Sequence, residues 1–310
     1  MTMLSILNLR THFPSRDGLV KAVDAVDLSI EETENVGLIG ETGCGKTVLG
    51  LSIIRLLQPS TLIEGKILYK GRDLLTLSEE EMRKMRGKEI AMILQNPTTS
   101  LNPVLKVGDQ IAEAISLHQG LDKRESRLRA IEMIESVKIP DASRRANQYP
   151  HEFSGGMKER VMIAMGLACA PSFIIADEPT KGLDVTVKMQ IIDLMKEVTE
   201  RKSMLIITHD LGAAGEICDK IAVMYAGELI EEARVEDVFE DPWHPYTRGF
   251  IKSLPSMGLR PIRGTSPSLI DLPSGCRFHP RCDHAMAVCR RTHPEMIETD
   301  GHSVRCLLYA

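Results

Sequence analysis

Four short stretches of this 310-residue chain combine residue types and spacings that could do chemistry. "GETGCGKT", Gly40 to Thr47, fits G-x-x-x-x-G-K-[ST]. Such glycines let backbone amides curl around phosphate oxygens, while Lys46 reaches the terminal phosphates and the Thr47 hydroxyl ligates Mg²⁺. "FIIADEPT", Phe173 to Thr180, is an apolar run ending in two acids. Asp177 would hold Mg²⁺ through water, and Glu178 is placed to polarise an attacking water. An acid pair after an apolar strand is often only a solvated strand end, and the glycine loop upstream is what gives this one weight. "FSGGMKERVMIAM", Phe153 to Met165, offers Ser154, Gly155 and Gly156 at the start of a helical stretch. Bare amides at a helix N-terminus are suited to a phosphate.

The fourth stretch is different in kind. Four of the seven cysteines fall near the end of the chain, as Cys276-x5-Cys282-x6-Cys289-x16-Cys306, opening on "GCRFHPRC". Four thiolates suffice to close a tetrahedral site or to ligate a cubane cluster. The spacing is not the tight C-x2-C of a zinc ribbon, which disfavours zinc, and unligated thiols remain an alternative. His279, His284, His293 and His302 could substitute as ligands or be ordinary surface residues. Cys44, Cys169 and Cys218 read as ordinary small residues, with Cys44 open to oxidation only if exposed.

The elements that must position these groups follow from the hydrophobic pattern. Residues 1 to 31 alternate as strands, with "SRDG" as a turn. The apolar "NVGLIG" leads into the glycine loop, and "TVLGLSIIRLL" beyond it has helical length and spacing. Residues 95 to 150 are richer in charge and helical periodicity, as expected of a helical subdomain inserted into an α/β core. Strands resume at "FIIAD", "MLIIT" and "IAVMY". From Leu254 to Gly275 the chain is rich in Pro, Ser and Gly, the composition of a linker.

Composition sets outer bounds. Hydrophobic residues make up 43% and aromatics 4%, so the core is aliphatic. A net charge of −5 does not suggest the basic domain or stripe that binds nucleic acid, so a nucleic-acid partner is disfavoured, a local basic patch being the alternative. "MTMLSILNLRTHF" carries neither a basic n-region nor a long apolar h-region, and no run reaches the roughly 20 apolar residues of a membrane span. The expectation is a soluble chain in a reducing, cytoplasmic compartment, where clustered cysteines read as a metal site before disulfides.

The order and spacing of these motifs resemble the ATP-binding subunits of ABC transporters, over nearly the whole chain. The resemblance is nearest to the oligopeptide/dipeptide/nickel importer group, through "QNPTTSLNPVLKVGDQI", the Met-bearing "FSGGMKERVMIAM", and "DPWHPYTRGFIKSLP" followed by the cysteine tail. It implies an α/β fold: a P-loop NTPase ABC cassette with an antiparallel β subdomain and an inserted helical signature subdomain, plus a small loop-rich C-terminal extension. The cassette would cover 1–253, with the helical subdomain at about 96–165, and the extension 254–310.

For the site, the resemblance implies that Gly40, Glu41, Thr42, Gly43, Cys44, Gly45, Lys46, Thr47 and Val48 cradle ATP. Thr47, Gln95 and Asp177 would serve Mg²⁺, with Glu178, His209, Gln95 and Lys46 as catalytic residues. His209 corresponds to the switch histidine and Gln95 to the residue that relays nucleotide state to the membrane subunits. Ser154, Gly155, Gly156 and Asp184 would meet the opposite subunit, so that two chains close over two nucleotides. Met157 stands where the signature usually has Gln, which removes a side-chain contact but leaves the backbone donors. "KGLDV" has Lys181-Gly182 where many relatives have Ser-Ala. Phe13, the only aromatic before the glycine loop, is the candidate to stack on adenine, or else a core residue.

The tail resembles relatives that bind a [4Fe-4S] cluster, which implies Cys276, Cys282, Cys289 and Cys306 as its ligands, in a structural role. The implied partners are a second ABC ATPase subunit, related but distinct with a homodimer as the alternative, two transmembrane permease subunits and, indirectly, an extracellular substrate-binding protein, with this chain peripheral on the cytoplasmic face of the membrane. Peptide import is the expected function. Nickel chelates or oligosaccharides are the rival cargoes. A soluble ABC ATPase acting on ribosomes or DNA is the rival of another class, disfavoured by the single cassette and the lack of a heptad run. The intact Glu178 and His209 argue against a non-hydrolysing regulatory subunit.

Overall fold

The computed structural model describes residues 1–254 and 258–310. The chain divides into two compact units, one of residues 1–76 with 206–310, the other of residues 77–205. This division cuts the chain elsewhere than the change of composition at 253/254, because the tail packs as part of the first unit.

The first unit opens with a long hairpin. β1 (Thr2–Ser15) and β2 (Gly18–Glu31) pair antiparallel, and β4 (Leu62–Tyr69) and β5 (Arg72–Asp73) extend them into a four-stranded sheet of order β2-β1-β4-β5. Alternation puts Leu4, Ile6, Val26, Leu28 and Ile30 in the core. β3 (Asn35–Ile39) is an apolar run buried from Val36 onward and lies parallel to β9 (Lys220–Tyr225), as expected of a strand covered on both faces. α1 (Lys46–Ile53) follows the glycine loop and stops short of the helical pattern read from the sequence. β10 (Glu228–Arg234) turns back antiparallel on β9.

The tail then adds to this sheet. A hairpin of β11 (Ile297–Thr299) and β12 (His302–Val304) pairs with β10, so the run reads β11-β12-β10-β9-β3. Residues 258–275 hold no helix or strand, yet they are no loose linker: the Lys21 amide donates to the Leu269 carbonyl at 3.0 Å.

The second unit carries most of the longer helices, together with the short α2 (Glu79–Met85), α3 (Pro97–Ser100) and α6 (Ala142–Arg145). Val107, Ile111 and Ile115 form the buried stripe of α4 (Val107–Gln119), which ends on left-handed Gly120. α5 (Lys123–Ser136) starts at a capping box of Asp122 and Glu125. α7 (Gly155–Leu167) is capped by Ser154, and α8 (Val185–Thr199) by Asp184. β6 (Ile90–Ile93) and β7 (Phe173–Asp177) pair in parallel. β8 (Ser203–Thr208) spans the division between the units.

Candidate functional site

In the first unit the glycine loop is shaped by its neighbours. Gly40 and Gly45 have φ of +152° and +113°, and an added Cβ would lie 2.2 Å from the Met224 carbonyl and 2.0 Å from that of Ala22. Only glycine fits either position. The loop wraps the start of α1, whose N-cap Gly45 has no side chain to cap the helix. Lys46 is buried, and its Nζ donates to the carbonyls of Gly40 at 2.7 Å and Glu41 at 3.0 Å. The ammonium therefore bridges two carbonyls of the loop. Thr47 is exposed on the first turn of α1, and Thr42 and Gly43 are exposed at the tip of the loop. Cys44 is buried with its thiol pushed up by that burial, so it is not an oxidation site. Phe13 is half-buried opposite Val20, and His209 is exposed just beyond β8.

In the second unit Asp177 ends β7 and Glu178 follows it, both buried. Glu178 has φ of +51°, a left-handed conformation that costs a non-glycine residue about 1 kcal/mol or more. Its carbonyl accepts from the Lys181 amide at 3.1 Å, tightening the turn that carries the side chain. Gln95 is half-buried just after β6. Ser154 and Gly155 are exposed at the tip of α7, where the Ser154 hydroxyl accepts the Met157 amide at 3.4 Å. A Cβ on Gly156 would meet Val187 Cγ1 at 2.5 Å, which explains the second glycine. Asp184 accepts the Val187 amide at 3.0 Å.

The four tail cysteines converge. Cys276, Cys282, Cys289 and Cys306 line one small cavity, with His279 and His284 also on its wall. Three of the sulfurs accept a backbone amide from two residues on: Cys276 from Phe278, Cys282 from His284 at 3.4 Å, and Cys306 from Leu308. Such bonds favour the charged sulfur. Burial works the other way and pushes the Cys276 thiol up to about 12. The other two histidines are engaged elsewhere, His293 with Glu228 at 2.7 Å and His302 with Glu231 at 2.8 Å while stacked on Trp243. Among the described residues no three His, Cys, Asp or Glu side chains are grouped to hold a metal ion.

Reading the sequence for cysteines alone missed the two arginines of "GCRFHPRC" and their targets. Arg281 forks onto Glu41, Nη1 to Oε2 and Nη2 to Oε1, both at 2.9 Å. The Ser266 hydroxyl also donates to the Glu41 carboxylate, and the Glu41 amide donates to the Tyr246 hydroxyl at 2.9 Å. Arg277 donates to the Ala226 carbonyl at 2.6 Å and pairs with Asp24 and Glu228. Two arginines four residues apart around one phenylalanine were the available signal.

Comparison with known proteins bears on both parts of the chain. Residues 23–181 match the family described as ABC transporter, and residues 230–289 match that described as oligopeptide/dipeptide transporter, C-terminal region. The chain is 45% identical to the dipeptide transport ATP-binding protein DppD of Bacillus subtilis, over 99% of this chain and 94% of the relative. It is 43% identical to the oligopeptide transport ATP-binding protein AppD of the same organism, over 99% and 97% respectively. A dimeric structure of MJ0796, a bacterial ABC transporter cassette, superposes with a TM-score of 0.68 at 28% identity, covering 75% of this chain and 99% of that one. Among the described residues no helix is long and apolar enough to cross a membrane.

Proposed function

Because this chain belongs to the ABC transporter family, among its oligopeptide and dipeptide transport ATP-binding proteins, we propose that it hydrolyses ATP to drive di- and oligopeptides inward through a membrane permease. The observation that carries the reading is the glycine loop, where Gly40 and Gly45 lie against neighbouring carbonyls that leave no room for a side chain and the Lys46 ammonium is held at the loop by two of its carbonyls.

Hydrolysis then depends on positioning and charge. Loop amides from Gly40 to Val48 cradle the phosphates while Lys46 turns from the carbonyls to the terminal phosphates. Glu178 accepts the proton of the water it orients, so that ATP and water become ADP and phosphate. His209 contacts the γ-phosphate. The Ser154 to Gly156 tip of one chain, with Asp184, closes on the nucleotide of the other. Thr47, Gln95 and Asp177 would hold Mg²⁺, each offering a side-chain oxygen of the type Mg²⁺ prefers, and Mg²⁺ would supply neutralisation of phosphate charge. The second ATPase chain is taken as related but distinct, with two permease subunits above and a binding protein outside. The chain would sit on the cytoplasmic face, and the segment after Gln95 would transmit closure. Uptake of a labelled dipeptide after deletion of this subunit tests the cargo, with a nickel chelate and an oligosaccharide run alongside. Loss of peptide uptake is expected, and loss confined to either other cargo would overturn the reading.

The reading includes a [4Fe-4S] cluster on Cys276, Cys282, Cys289 and Cys306. Support comes from the donor set: four thiols on one cavity wall, three of them accepting amides in a way that suits a thiolate. Against zinc stands the spacing of the four cysteines, which lacks the tight C-x2-C of a zinc ribbon. When bound, the cluster would supply a cross-link for a segment too small to bury a core. Iron and acid-labile sulfide at about four each per anaerobically purified chain are expected. Zinc, or no metal at all, would remove the cluster and leave the ATPase standing.

A further inference from the structure

We propose that Arg281 is a positioning residue for ATP binding: carried by the cysteine tail, it holds the Glu41 carboxylate away from Lys46 and so keeps that lysine available to phosphate. The inference rests on the ATPase reading and adds to it a role for the tail.

Glu41 is an acid in a loop that has to accept a polyanion. Lys46 is its electrostatic neighbour, and the Lys46 ammonium already touches the Glu41 carbonyl at 3.0 Å. Left alone, the carboxylate would compete with phosphate for this cation. Instead both its oxygens are taken by the guanidinium of Arg281 at 2.9 Å, in the bidentate geometry that fixes orientation as well as charge. Burial works against the charged carboxylate, but the Arg281 fork and the Ser266 hydroxyl outweigh it and keep Glu41 below its ordinary range. Arg281 is itself immobilised. Its Nε donates to the Arg263 carbonyl at 2.9 Å, and its guanidinium lies 5.7 Å from the Tyr225 ring centre and 6.0 Å from that of Phe278. Arg263 returns a bond to the Cys282 carbonyl at 2.7 Å, so the arginine is framed by the cysteine segment.

Arg277 secures the same segment at the other side of the loop. It bonds the Ala226 carbonyl, and the next residue, Gly227, donates its amide to the Cys44 carbonyl at 2.9 Å. The tail thus touches the glycine loop directly at Glu41 and is linked to it at Cys44 only through Ala226 and Gly227.

The test is equilibrium titration of the full chain with a fluorescent ATP analogue. Arg281→Ala should weaken binding about tenfold, the order expected for one uncompensated charge beside the key cation. Glu41→Gln changes a residue of the ATP loop itself, so the comparison is a double-mutant cycle: on the Glu41→Gln background Arg281→Ala should cost no more than about threefold, because the competing charge is gone and the loss is rescued. An Arg281→Ala loss of the same size on both backgrounds would show a merely structural role and overturn the proposal, as would an Arg281→Ala variant that binds like wild type. Should Arg281→Ala fail to fold, Arg281→Lys, which keeps the charge and loses the fork, should bind with intermediate affinity, and wild-type affinity there would likewise refute it. Lys46→Ala is the separate control: undiminished binding in that variant would sink the ATPase reading itself, whereas failure of the rescue alone sinks only the role of Arg281.

Discussion

Glu159 on α7 is 2% exposed, and its Oε1 is buried without a hydrogen-bond partner. Burial raises its carboxyl from 4.5 to about 8. At neutral pH the folded chain therefore holds a proton there that the unfolded chain has released. The sign follows from linkage. Below 4.5 both states are protonated and Glu159 has no pH-dependent effect; as pH rises through that value folding takes up a proton and stability falls, until the loss levels off above about 8. At about 1.4 kcal/mol per pH unit, the interval from 4.5 to about 8 is worth roughly 5 kcal/mol, and about 3 kcal/mol has been lost by pH 7. Glu159→Gln keeps the shape and removes the titration. Urea unfolding of both proteins from pH 5 to pH 9, without nucleotide, should show the variant more stable by a margin that widens with pH and then flattens. A gap that does not change with pH would refute the reasoning, and a less stable variant at pH 8 would reverse it.

Three further outcomes follow from the same geometry. Lys46→Ala should lower nucleotide affinity about a hundredfold, through lost charge-assisted bonds, as read by the same fluorescent titration. Gly45→Ala places a methyl 2.0 Å from the Ala22 carbonyl at φ of +113°, so a loss of roughly 2 kcal/mol or more in thermal unfolding is expected, with nucleotide binding gone. Ser154→Ala removes the cap of α7, costing about 1 kcal/mol in denaturant unfolding, and ATP turnover by the assembled transporter should fall further than that loss explains.

Much of the site was legible because it is local. The glycine loop is set by φ values and close contacts that only glycine tolerates, so "GETGCGKT" announces itself in sequence. Ser154 and Asp184 stand one residue before the helices they cap, and the alternation of residues 1 to 31 carried the hairpin. What stayed hidden joins residues far apart in the chain. Arg281 and Glu41 are separated by 240 positions, and neither periodicity nor motif spacing reports such a pairing. The Pro- and Ser-rich stretch read as a linker because it lacks regular structure, but its Ser266 and Leu269 make long-range bonds to the glycine loop and the first hairpin. Glu159 sits inside a recognised motif, yet its burial depends on tertiary packing. The left-handed backbone of Glu178 has no sequence signal either.

The central claim is that this chain turns over ATP with Glu178 orienting the water. Its most direct test compares ATP hydrolysis by the assembled transporter carrying wild-type or Glu178→Gln subunit, with nucleotide binding measured on the same preparations. Binding should be retained, and turnover should drop by roughly a hundredfold or more, as for loss of a positioned general base. Turnover near the wild-type rate in the variant would contradict the account.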